Sequence, residues 1–186
     1  TYNQNFGVSG IPFATLDTAV FVQDQWKVAR RLTLNYGLRY DYQHVPDPVN
    51  PNPAIPESLK IPTDHRAFGP RAGAAWDIAG NGKTVIRGGY ALYYARTPNG
   101  LIENALAQTG LSDPSKVLIA LSFQPTDPGA PLYPAILPSI PATAKGSGSI
   151  FRMDSSYRQA RIQDFNIAIE RQLGGTVVTA SYIHTY

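Results

Sequence analysis

His44, His65 and His184 are the only imidazoles in the chain. His44 and His65 bracket a proline-rich stretch with Asp41, Asp47 and Asp64 nearby. Imidazoles and carboxylates together are a donor set for a metal or a metal chelate. No metal-ligand spacing links them, so solvated loop histidines are expected, and His44, His65 and Tyr133 stand as candidates for touching an external ligand. The run "AGNGKT" approaches the phosphate-cradling pattern GxxxxGK[ST], which needs glycine where Asp77 stands and opens a helix rather than a strand. Asp24, Asp164 and Glu170 show no spacing of an acid–base pair, and no GxSxG or HExxH occurs. With no cysteine, thiol catalysis and disulfides are excluded. The expectation is a protein without enzymatic chemistry or a cofactor. Arg39, Arg71 and Arg87 are the most informative polar residues, and with Asp77 they share one parity of their strands.

The elements that would carry them are strands. In "LTLNYGLRYDY" every second residue is large and apolar or aromatic, and the residues between are Thr33, Asn35, Gly37, Arg39 and Asp41. This period of two marks a strand with one greasy and one polar face. Three hairpins with it are predicted, at 18–42, 70–94 and 162–186. Gly and Asn at the turns supply the positive φ that tight hairpins need. Between the hairpins lie the loops 43–69 and 95–161, where clustered prolines cannot donate to a ladder. Within the second, residues 101–108 fit a short helix and 116–123 a short strand, and 146–149 fit a flexible run.

Connections therefore alternate short, long, short, long, short. A transmembrane β-barrel segregates its turns in this way, short on the periplasmic side and long outside. Each strand has about 9–11 residues, enough to cross a tilted bilayer path. Charged residues make up 16% of the chain, against about 25% in typical soluble domains. The Lys and Arg residues are scattered, which argues against nucleic acid as a partner. No run of about 18 apolar residues offers a membrane helix. The chain opens on "TYNQNFG" with neither Met nor signal peptide, and is read as an internal piece of a longer protein.

A symmetric turn in the second hairpin would set Trp76 by Ile86, Ala74 by Gly88 and Ala72 by Tyr90. Asp77 and Arg87 then become diagonal neighbours, within bridging reach. Phe165, Ile167 and Ile169 would share a face with Val178, Ala180 and Tyr182. Asp24 breaks the pattern, since it falls on the apolar parity of Val22 and Trp26. A bulge, or a place near the periplasmic rim, would accommodate it. Tyr40, Tyr42, Tyr93 and Tyr94 at the loop ends, and Trp26 and Trp76 near the turns, fit two aromatic girdles.

The segments "FVQDQWKVARRLTLNYGLRYDY", "FGPRAGAAWDI", "KTVIRGGYALYYARTP" and "QDFNIAIERQLGGTVVTASYIHTY" together resemble the barrel of TonB-dependent outer-membrane receptors, nearest the Oar-like branch. The resemblance implies an antiparallel up-and-down transmembrane barrel segment in the outer membrane of a Gram-negative-type bacterium. It also implies uptake of a scarce ligand, a plug domain in the parent chain, and a TonB-type energiser. Arg39, Arg71, Asp77 and Arg87 would then face the lumen or the plug. The rivals are a structural or adhesive barrel without energised transport, and a soluble carbohydrate-binding β-sandwich.

Overall fold

The structure, a computed structural model, describes residues 1–8, 10–111, 113, 115, 118–141 and 150–186, so the run 146–149 lies outside the described residues. Its contacts divide the chain into two units. One comprises Leu16–Gln43, Asp64–Thr97 and Arg158–Tyr186; the other comprises Thr1–Thr15, His44–Thr63 and Pro98–Tyr157.

The first unit is a single six-stranded sheet in the order β2 (Leu16–Ala29), β3 (Leu32–His44), β4 (Phe68–Asp77), β5 (Thr84–Tyr94), β7 (Arg161–Leu173) and β8 (Thr176–Thr185). Neighbours from β3 to β8 are antiparallel. The second hairpin pairs as its alternation predicts, with Trp76 opposite Ile86, Ala74 opposite Gly88 and Ala72 opposite Tyr90. These pairs extend into rows across the sheet, because residues opposite one another in a ladder share a face. One row runs Leu32, Trp76, Ile86, Ile169, Ala180, and the next Leu34, Ala74, Gly88, Ile167, Tyr182. On the other face the rows read Thr33, Ala75, Arg87, Ala168, Ser181 and Asn35, Gly73, Gly89, Asn166, Ile183.

The apolar rows are not packed away. Trp76 is 50% exposed, Ile167 45% and Ile169 44%. A sandwich buries its facing apolar rows between two sheets, so the soluble sandwich is set aside. The two outer edges, along β2 and β8, have no strand partner among the described residues.

The turns are built as their residues require. Gly174 has φ +62° in the β7–β8 turn, a left-handed conformation that costs glycine nothing. In the β4–β5 connection the Asp77 carboxylate accepts the backbone N–H groups of Gly80 at 2.9 Å and Gly82 at 2.8 Å. Here the structure corrects the expected bridge from Asp77 to Arg87. The Asp77 oxygens bind turn amides, and Arg87 turns to Glu170 instead, with Nε–Oε1 at 3.1 Å. Asp24 keeps its parity. A Cβ at Gly37 would lie 2.8 Å from Gln23 Cβ, so Gln23 and Gly37 share a face and Asp24 falls with Tyr36. The Tyr36 hydroxyl donates to the Asp24 carboxylate at 3.0 Å. No bulge has moved this acid to the polar side.

The second unit contains most of the proline-rich loops, and they are not bare connections. β1 (Tyr2–Gly7) pairs antiparallel with β6 (Leu118–Phe123); the first two residues of the predicted strand, 116 and 117, lie outside the described residues. The expected helix is α1 (Asn99–Ala107). Ile102, Leu106, Val45, Ile61 and Met153 form an apolar core, with Phe13, Phe151 and Tyr157 against it. Ile119 and Leu121 form a second cluster beneath Phe6, Leu137 and Ile140. Buried polar groups join the segments. The Asn52 side chain donates to Thr109 O at 3.0 Å and accepts from Ala54 N at 3.0 Å. The Ser58 hydroxyl accepts Asn52 N–H at 2.9 Å, and the Thr109 hydroxyl donates to Asn50 O. At the surface of this unit, the hydroxyl and N–H of Ser156 hold the exposed Asp154 carboxyl below its usual range.

Three substitutions test these assignments. Asn52→Ala strands the Thr109 carbonyl and the Ala54 amide. It should destabilise the loop unit by about 1–3 kcal/mol, seen as faster amide exchange at Ala54 while β4 and β5 exchange as before. A Cβ at Gly69 would sit 2.5 Å from the Leu92 carbonyl oxygen, whereas one at Gly175 meets nothing within 4 Å. Gly69→Ala should therefore cost about 1–3 kcal/mol by overpacking and Gly175→Ala almost nothing, measured by denaturant unfolding in micelles.

Candidate functional site

Among the described residues two cavities on the polar face of the sheet stand out, and the strand register explains the larger. Gly73 and Gly89 are adjacent in the row Asn35, Gly73, Gly89, Asn166. Two missing side chains at the middle of the row leave a hollow of about 510 Å³. Its walls include Asn35, Arg71, Tyr93, Asp164 and Asn166. Arg71 pairs across to Ala91, and its guanidinium carbon lies 5.9 Å from the Tyr93 ring centroid, one step along on the same face. Such a cation–π contact contributes about 0.5–1 kcal/mol when exposed. Asp164 is occupied by neighbours, with Asn166 Nδ2 and Thr185 Oγ1 each at 3.3 Å. The hollow thus holds one guanidinium that meets a ring, the amides of Asn35 and Asn166, and the Asp164 carboxylate.

The second cavity lies where the strands run out into the long connections. It encloses about 280 Å³. Arg39 donates through Nε to both oxygens of Asp41, at 2.9 and 3.0 Å. Arg96 pairs with Asp17 at 3.0 Å. Both pairs are partly exposed, so each adds at most about 1 kcal/mol; what they establish is a locally balanced charge. Beside them is a buried amide network. Gln43 Oε1 accepts Thr97 N–H at 3.0 Å and Gln159 Nε2 at 3.5 Å. Asp64 accepts Gln159 N–H at 3.0 Å through one oxygen and Arg66 N–H at 2.9 Å through the other. Residues from four strand ends are thereby tied together.

Arg39, Arg71 and Arg87 all lie on the polar face, each with a different partner: Asp41, the Tyr93 ring and Glu170. Asp77 serves the turn at the opposite end of the sheet from the loops. His65 stacks on Tyr42 with centroids 5.3 Å apart. His44 is an exposed member of the loop unit, and Tyr133, in the same unit, is 99% exposed. Among the described residues no group of three or more His, Asp or Glu is placed to hold a metal ion.

Sequence reasoning missed Glu170 as the partner of Arg87, although both were in view, because β5 and β7 are neighbours only in space. It missed Gln43 and Gln159 altogether. Neither amide belongs to a motif, and only the meeting of distant strand ends makes them a pair.

With this geometry in place, comparison with known proteins is informative. A family model described as "Outer membrane beta barrel domain" matches residues 1–185. The TonB-dependent transporter Oar of Myxococcus xanthus is 35% identical over 85 residues. That alignment covers 46% of this chain and 7% of the transporter, so this chain corresponds to a small part of such a protein. No solved structure matches. A six-stranded antiparallel sheet with apolar rows exposed on one face and Arg39, Arg71 and Arg87 on the other is what such a wall requires, and the chain belongs to the outer membrane β-barrel domain family.

Proposed function

We propose that this chain is part of the wall of a TonB-dependent receptor that takes up a scarce ligand across the outer membrane. The observation that carries the reading is the opposition of the two faces. The rows through Trp76 and Ile167 are apolar and exposed, which suits hydrocarbon. The rows through Arg71, Arg87 and Asn166 are polar and hollowed, which suits an enclosed aqueous interior. In hydrocarbon an unpaired strand edge is not tolerated, so β2 and β8 are read as joining further strands of a larger closed barrel.

On this reading Arg39, Arg71 and Arg87 face the lumen, where a plug domain of the parent chain would rest against them. Arg71 is the best placed of the three for a carboxylate on a plug, since among the described residues its guanidinium meets the Tyr93 ring and pairs with no carboxylate. The loop unit, with its own core and with His44 and Tyr133 exposed, is the outward part that meets the ligand. A TonB-type energiser would act through the plug. The Oar relative is named a transporter, which favours uptake over a purely structural or adhesive barrel.

Facing can be tested in the full-length parent. Ile167→Lys places a charge among the apolar rows and should cost about 2–4 kcal/mol if that face meets the bilayer core, with loss of the folded, outer-membrane-inserted form. Asn166→Lys, one residue away on the polar face, should insert normally. Equal tolerance of both would remove the lipid assignment. For uptake, the ligand would be captured from spent growth medium on the purified receptor and identified by mass spectrometry. It should accumulate in cells with TonB and fail to do so in cells without it. Equal accumulation would leave a structural or adhesive barrel in place of a transporter.

A further inference from the structure

The smaller cavity contains a feature that neither folding nor a plug contact accounts for. Gln43 Nε2, a donor, and Gln159 Oε1, an acceptor, are buried and have no hydrogen-bond partner among the described residues. Gln43 is 3% exposed and Gln159 8%. Rotating an amide does not relieve them. Turning Gln43 over would set its NH₂ against Thr97 N–H, and turning Gln159 over would set its carbonyl against that of Gln43. A stranded buried polar atom is costly and calls for an explanation. Here a donor and an acceptor are stranded on two residues whose side-chain amides meet at 3.5 Å and that both line the same cavity.

We propose that this cavity binds a neutral polyhydroxylated ligand, a saccharide ring or cyclitol, seated on Gln43 and Gln159. A hydroxyl both donates and accepts, so one such group satisfies the two stranded atoms at once. The charges nearby do not select an ion. Arg39 is matched by Asp41, and Arg96 by Asp17. Such pairs still present outward donors and acceptors to further hydroxyls. At about 280 Å³ the space is just under the range of about 300–1,000 Å³ that accepts drug-sized ligands, so it suits one ring. This deepens the uptake reading by naming the ligand's class, and it rests on that reading for the ligand's external origin.

The test uses the full-length parent receptor in detergent micelles, titrated by ligand-observed NMR with glucose, maltose and myo-inositol, and in parallel with citrate and a neutral tripeptide. At least one of the neutral polyols should bind. Gln43→Leu and Gln159→Leu should each weaken that binding about tenfold or more, since either removes one of the two hydrogen bonds. Should those core variants fold poorly, Ala19→Trp decides the matter. Ala19 is an exposed wall residue outside the amide network, on the parity of Asp17 and Gln23, and tryptophan there should block binding while the folded band on a gel persists. Binding of citrate or the tripeptide in place of the polyols, no polyol binding at all, or polyol binding indifferent to Ala19→Trp would overturn the proposal. The assay needs no TonB. Polyol binding without energised uptake would therefore count against the transporter alone, and energised uptake of a ligand that is not a polyol would count against this site alone.

Discussion

The ladder of backbone hydrogen bonds from β3 to β8 is the constraint on which the sheet depends. In hydrocarbon no water is present to take an unpaired N–H or C=O, and each one left over costs several kcal/mol. The unbroken antiparallel register satisfies those groups within the sheet. Only then can the side chains be sorted by face. Register and sorting are one decision, because slipping a strand by a single residue would exchange its two faces. Moving β5 by one against β4 would put Arg87 opposite Trp76, or bring Ile86 into the row of Ala75. Either exchange places charge on the apolar side or grease in the polar hollow. The hydrophobic pattern thus protects the ladder, and the ladder maintains the pattern.

Where the chain leaves the sheet, the solution changes. Residues such as Pro46, Pro48 and Pro51 cannot extend a ladder. Their neighbours pair instead through side chains, as Asn52, Ser58 and Thr109 do. Ile102 and Leu106 on one face of α1 give these segments a conventional core. Two kinds of protein chemistry therefore alternate along one chain. Sheet segments expose their apolar residues, and loop segments bury theirs.

The split explains what the sequence made legible. Strand alternation has a period of two and is a local signal, so the three hairpins, their facing and the Trp76–Ile86 pairing could all be read directly. The short helix expected at 101–108 lies at Asn99–Ala107. The strand β1 was not, because "YNQNFG" presents only Tyr2, Gln4 and Phe6 to its covered side and gains its partner from residues more than a hundred positions away. The same distance hid the candidate site. Arg87 was assigned to Asp77, its neighbour across a turn, when the strand on its other side held Glu170. Gln43 and Gln159 each look like ordinary loop-flanking amides until the topology closes.

Asp24 shows how far the sheet can depart from its own rule. Its carboxylate lies on the side of Tyr36, Ala72 and Tyr90, the face that carries the apolar rows. Removing it to the other face would need a bulge in β2, which would break the ladder beside it. The structure leaves the backbone intact and answers the carboxylate locally, through the Tyr36 hydroxyl at 3.0 Å and the Gln25 N–H at 2.8 Å. The ladder is common to every strand, whereas a single polar side chain concerns only its neighbours. When the two conflict, the sheet preserves its register and lets a tyrosine, amphipathic and already at the right place in the row, absorb the exception.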